Sequence, residues 1–121
     1  MTREVAGEGG AVIDGIRHEI RIGARRIPLR ARPVSRQLLY AFAAAPSHYL
    51  ARNAIARVLW GSDYDPLRHE CTLKSNIRRL RMLLAGFAEL PSETGGYRMV
   101  LPDGVEFIPP VVTGQPPSAD S

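Results

Sequence analysis

At 121 residues, with 45% hydrophobic and 23% charged side chains, the chain has the composition of a single globular domain and excludes wholesale disorder. A single cysteine, Cys71, excludes an internal disulfide framework; no apolar run reaches the roughly 20 residues of a membrane span; and the opening MTREVAGEGG lacks a signal peptide's basic start and apolar middle, so a cytoplasmic protein with no membrane partner is expected. The net charge of +4 is unevenly spread: residues 15 to 81 hold 14 of the 16 basic side chains against Glu19, Asp63, Asp65 and Glu70, whereas both ends are acidic. Such segregation fits a surface for a polyanion, although the preponderance of arginine among the cations also fits a compositional bias.

In chain order, VIDGIRHEIRIGARRIPLR alternates apolar and polar residues. Ile16, His18, Ile20 and Ile22 share one parity, and Ile27 and Leu29 follow the GARR break, which predicts short antiparallel strands with one buried face. RPVSRQLLYAFAAAP places Leu38, Leu39, Phe42 and Ala45 at helical spacing between Pro33, suited to a first turn, and Pro46, which closes the segment. ARNAIARVLWG predicts a second helix through Ile55, Val58 and Leu59, stopped by Gly61; the loop SDYDPLR follows. A third, longer helix is predicted from Pro66 or Arg68 to Leu84, ending at Gly86. ELPSETGGYRMVLPDGVEFI has two apolar segments around SETGG and a further turn at PDG, hence a hairpin and an extra strand. Residues 1–11 and the Pro-rich stretch 109–121 are expected to be flexible flanks of a domain spanning 12–108.

The third helix carries the chemistry. At about 100° per residue, Leu73, Ile77, Leu80 and Leu84 form a narrow stripe that must face the core. Opposite lie Cys71, Ser75 and Met82, flanked by Arg78 and Arg79. Lys74, Arg78 and Arg81 share a strip on which no carboxylate partner is expected at i±4, Glu70 standing near the helix start. The small Ser75 between arginines permits close approach of another surface. A helix of this kind suits a major groove, with guanidinium groups on phosphates or guanine edges.

The order of strands, three helices and a final hairpin, with LL and Pro46 eight residues beyond Leu38, VLWG, IRRLR and the closing GGYRM, resembles the OmpR/PhoB-type winged-helix DNA-binding domain, the effector half of many two-component response regulators. The match covers residues 18 to 101. It implies an α+β winged helix-turn-helix fold with N-terminal antiparallel strands, three helices and a C-terminal β-hairpin wing at about 91–98. CTLKSNIRRLRMLL becomes the recognition helix, within 68–84. The resemblance implies DNA contacts at Cys71, Asn76, Arg78, Arg79 and Arg81, with backbone contacts from Trp60 and the wing, where Thr94 and Tyr97 lie. Its implied partners are double-stranded DNA, RNA polymerase through the 61–68 loop, and a second copy of the chain on DNA.

Departures from the family pattern are visible. Cys71 stands where many members have Arg, Glu93 where the wing commonly offers a base, and Ala51 and Asn53 where a capping box would place Ser and Glu. The chain is too short to include a receiver domain as well, so control through a phosphorylated aspartate is not expected.

Other residues have simpler explanations. Trp60 is first a packing residue, and Cys71 a small side chain rather than a redox switch. His18, His48 and His69 share no ligand spacing, so neither metal nor other cofactor is expected, and SDYDP is an ordinary turn rather than a carboxylate pair for catalysis. Arg25, Arg26, Arg30 and Arg32 fit strand-edge protection and nucleic-acid contact equally well. The sequence therefore predicts a non-enzymatic DNA-binding transcription regulator in which Arg68, Lys74, Arg78, Arg79 and Arg81 bind phosphates or guanines while Ser75 and Asn76 tune sequence choice. The alternative is a winged-helix adaptor that docks a regulatory protein through Glu93 and the acidic C-terminal part.

Overall fold

The computed structural model describes residues 10–111. Within them the protein is α+β, with three helices and seven strands in two sheets. β1 (Ala11–Asp14), β2 (Glu19–Ile22) and β3 (Arg25–Pro28) form an antiparallel meander. α1 (Pro33–Ala44), a 3₁₀ turn (Pro46–His48), β4 (Tyr49–Ala51), α2 (Arg52–Trp60) and α3 (Pro66–Leu84) follow, then β5 (Ser92–Glu93), β6 (Gly96–Arg98) and β7 (Val105–Ile108). The first sheet has the order β3-β2-β1-β7 and the second β4-β6-β5.

The helices fall where composition and spacing dictate. Proline occupies the first turn of α1, where its missing N–H costs no helical bond, and again that of α3. α2 begins at Ala51 without a side-chain cap, as the absent capping box predicts, and ends at Gly61, whose φ of 72° is a left-handed conformation that glycine adopts without Cβ strain. Asp65 caps α3 by accepting the Leu67 N–H at 3.0 Å.

One core joins the layers. Leu38, Leu39 and Phe42 of α1, Ile55 of α2 and the α3 stripe Leu73, Ile77, Leu80 and Leu84 pack together with Ile13 and Ile20 of the first sheet and Leu50, Tyr97 and Met99 at the second. Each such aliphatic side chain contributes roughly 2 kcal/mol by leaving water, which fixes which face of α3 points inward. The other faces are fixed by default.

Three features differ from the sequence expectation, and one expected strand finds its partner. Ile16, assigned to the buried parity, is 55% exposed, because residues 15–18 form the β1–β2 turn, with Asp14 Oδ1 accepting the Ile16 and Arg17 N–H groups at 2.9 Å. Alternation continued through the turn, but the strand did not. Ala11, placed with the N-terminal flank, is a buried residue of β1. β4 was not predicted; it pairs with β6, and a Cβ at Gly96 would overlap the Leu50 carbonyl, so glycine there permits the pairing. The extra strand predicted after the hairpin is β7, and it lies parallel to β1, closing the sheet with residues from both ends of the domain. Of the expected flexible flanks, residues 1–9 and 112–121 lie outside the described residues; 109–111 form no regular structure.

Candidate nucleic-acid interface

α3 is 19 residues long, about 28 Å. With its apolar stripe buried, its remaining surface carries Arg68, Cys71, Ser75, Arg78, Arg79 and Met82, all exposed. Helical geometry divides the cations into two strips. Arg68, Ser75 and Arg79 line one side; Lys74, Arg78 and Arg81 lie on the other.

The second strip is only partly free. Lys74 Nζ sits 2.8 Å from Glu70 Oε2, so the expectation of no carboxylate partner at i±4 is corrected: Glu70 is that partner, one turn earlier. The ammonium holds Glu70 below the usual carboxylate range, helped by the Tyr64 hydroxyl that donates to the same carboxylate, and Lys74 is raised in return. Arg81 is also engaged. Its Nε donates to the Leu90 carbonyl at 2.9 Å, and its guanidinium lies 5.6 Å from the centre of the Tyr97 ring. Arg81 thus ties α3 to the strands that follow it, while Arg52 approaches the same ring at 5.7 Å.

Arg68, Arg78 and Arg79 differ. None makes an ion pair or side-chain hydrogen bond among the described residues, and all three are exposed. Asn76 is half-buried on the shoulder beside the apolar stripe, across the helix from Arg78.

The start of α3 is held against α2. The Asp65 N–H donates to His69 Nδ1 at 3.0 Å, placing the imidazole proton on Nε2. The His69 ring stacks on Trp60 with centroids 4.1 Å apart and planes at 10°. One face of Trp60 is therefore occupied by the protein itself, in keeping with a packing role. Asn53 Oδ1 accepts the Tyr64 N–H, and Arg57 pairs with Asp63 at 2.7 Å, so loop 61–65 is held at several points. Asp63 is taken up by Arg57 and Asp65 by the α3 cap.

In the β5–β6 hairpin, Thr94 sits exposed at the turn and its carbonyl accepts the Tyr49 hydroxyl at 2.7 Å. Tyr97, named as a contact residue, is only 4% exposed and belongs to the core side of β6. Glu93 pairs with Arg98 at 2.8 Å; each charge stabilises the other, lowering the carboxyl and raising the guanidinium. Arg98 also donates to the Ser47 carbonyl, so the hairpin's single cation is neutralised and anchored.

The sequence therefore located the exposed arginines but not the ties on Lys74, Arg81 and Arg98. Those depend on the side-chain direction of Glu70 and on partners in other elements. Among the described residues no group of histidine, cysteine or carboxylate side chains has a metal-binding arrangement, and no helix is long and apolar enough to cross a membrane. Comparison with protein-family models, curated proteins and solved structures finds no match.

Proposed function

We propose that the chain is a non-enzymatic DNA-binding transcription regulator of winged-helix type. In this reading α3 is the recognition helix, the β5–β6 hairpin is the wing, and loop 61–68 offers a surface to RNA polymerase when two copies sit on adjacent sites. The observation that carries it is the set Arg68, Arg78 and Arg79: three exposed guanidinium groups on one helix, none neutralised within the described residues. Desolvated against phosphate, a guanidinium forms two parallel hydrogen bonds, and release of condensed counterions supplies the free energy. Arg78 and Arg79 point to opposite shoulders of the helix, as contact with both walls of a groove about 12 Å wide requires. Ser75 between them leaves room for base edges.

A mobility-shift titration on mixed-sequence duplex at about 50 and 200 mM salt tests the reading. The expected result is binding with a log–log salt slope of about −2.7 or steeper, from at least three phosphate contacts at about 0.9 each. The competing adaptor reading draws on the neutralised Glu93–Arg98 hairpin, which has no free cation for a phosphate. Absence of binding at the lower salt would favour the adaptor.

A further inference from the structure

Arg32, for which sequence left strand-edge protection and nucleic-acid contact open, ends the loop after β3 and immediately precedes α1. Its side chain lines an open groove of about 320 Å³ together with Arg79, Met82 and Leu83 of α3. The first turn of α1 carries no acidic residue, no carboxylate lines the groove, and neither Arg32 nor Arg79 forms an ion pair among the described residues. Both side chains are exposed.

Two unneutralised cations brought to one groove by elements distant in sequence repel each other, an arrangement that an anion between them would reverse. Met82 and Leu83 complete the groove wall beside the two guanidiniums. A guanidinium fork matches the paired oxygens of a phosphate. Arg79 is also one of the three arginines on the outward surface of α3. A phosphate in the groove would therefore belong to the same duplex.

We infer that the Arg32–Arg79 groove seats one backbone phosphate of the DNA on which α3 docks, making the start of α1 an anchoring point outside α3 and the hairpin. The inference rests on the DNA-binding reading above. Arg32 does not read sequence; it fixes how the domain sits on the duplex.

The test is fluorescence anisotropy of a labelled mixed-sequence duplex with the full chain, across salt concentrations. It compares wild type, Arg32→Ser, Arg32→Lys, Arg79→Ala and the Arg32→Ser/Arg79→Ala double variant. Serine is a preferred helix N-cap, so Arg32→Ser should keep its thermal midpoint and isolate the lost charge. Expected is a roughly 3- to 10-fold loss of affinity and a slope flatter by about 0.9, with Arg32→Lys recovering the slope. The double variant should lose less than the product of the two single losses, because both remove one shared contact. Wild-type binding left unchanged by Arg32→Ser, or single losses that simply multiply, would overturn the shared seat while leaving DNA binding intact. No binding by wild type would overturn both.

Discussion

Arg21 and Arg26 of the first sheet and Arg68, Arg78 and Arg79 of α3 are the same residue type in opposite circumstances. Arg21 lies 2.7 Å from Asp14 and 2.8 Å from Glu19, and Arg26 reaches the same Glu19 at 3.4 Å. Those guanidiniums neutralise carboxylates inside the fold, one of which, Asp14, is buried. On α3, Arg68, Arg78 and Arg79 meet no carboxylate among the described residues. A compositional bias toward arginine would supply the residues in both places. Pairing is not uniform in the sheet, since Arg25 at the start of β3 makes no ion pair among the described residues; what sets α3 apart is that three unpaired guanidiniums share one helix.

The comparison can be broken first from the inside of α3. Leu80→Ala removes a fully buried side chain from the stripe that orients the helix and should cost about 2–5 kcal/mol in urea unfolding. Alanine at Arg78, on the other side of the same helix, should leave the unfolding midpoint nearly unchanged and act on DNA binding instead. Equal stability losses at the two positions would contradict the assignment of faces.

The sheet side is sharpened by acid. Asp14 is held below the usual carboxylate range, first by the Arg17 backbone N–H, against the opposing effect of burial, and then by Arg21. A depressed carboxyl stabilises the fold above its unfolded pKa, and that contribution disappears as pH falls through the folded value. His18, hydrogen-bonded at Nδ1 to the Tyr40 hydroxyl at 2.9 Å, is pushed below its ordinary value chiefly by burial, then by Arg36 and Arg30. The unfolded chain takes up that proton first, so stability should begin to fall below about pH 6.5 and fall again through the carboxylate range. Asp14→Asn should cost roughly 1–3 kcal/mol near neutrality, with the deficit shrinking toward pH 3 in pH-dependent denaturation. A deficit independent of pH would show that the Asp14 charge contributes nothing.

Much of this division was legible in the sequence, and the illegible part has a physical pattern. Local rules sufficed for the helices. Pro33 and Pro66 mark first turns, Gly61 a stop, and four apolar residues at helical spacing identify the inward face of α3. β4 is not legible in the sequence because three residues between helical segments have no periodicity of their own, and their partner in β6 lies far along the chain. The same holds for β7, whose parallel register with β1 depends on both ends meeting. Within the site, Arg68, Arg78 and Arg79 could be found by spacing alone. The bond from Arg81 to Leu90, the Trp60–His69 stack and the groove shared by Arg32 and Arg79 all depend on tertiary contacts. Glu70 beside Lys74 is a local signal too, since their i,i+4 spacing is readable from the sequence.

The smallest expected effect lies in the hairpin. Glu93→Gln would remove the carboxylate that neutralises Arg98, whose bond to the Ser47 carbonyl would still hold it in place. DNA affinity should then rise roughly twofold to fivefold in a titration at fixed salt. A fall would mean that Glu93 itself meets the partner.

The salt dependence of DNA binding by the Arg68→Ala/Arg78→Ala/Arg79→Ala variant, set beside that of Arg26→Ala, tests the account most directly. Loss of three free guanidiniums should flatten the slope by about 2.7, whereas Arg26, already paired with Glu19, should leave it nearly unchanged. If the triple variant retained the wild-type slope, or if Arg26→Ala flattened it as much per charge removed, the outward face of α3 would have no special part in binding.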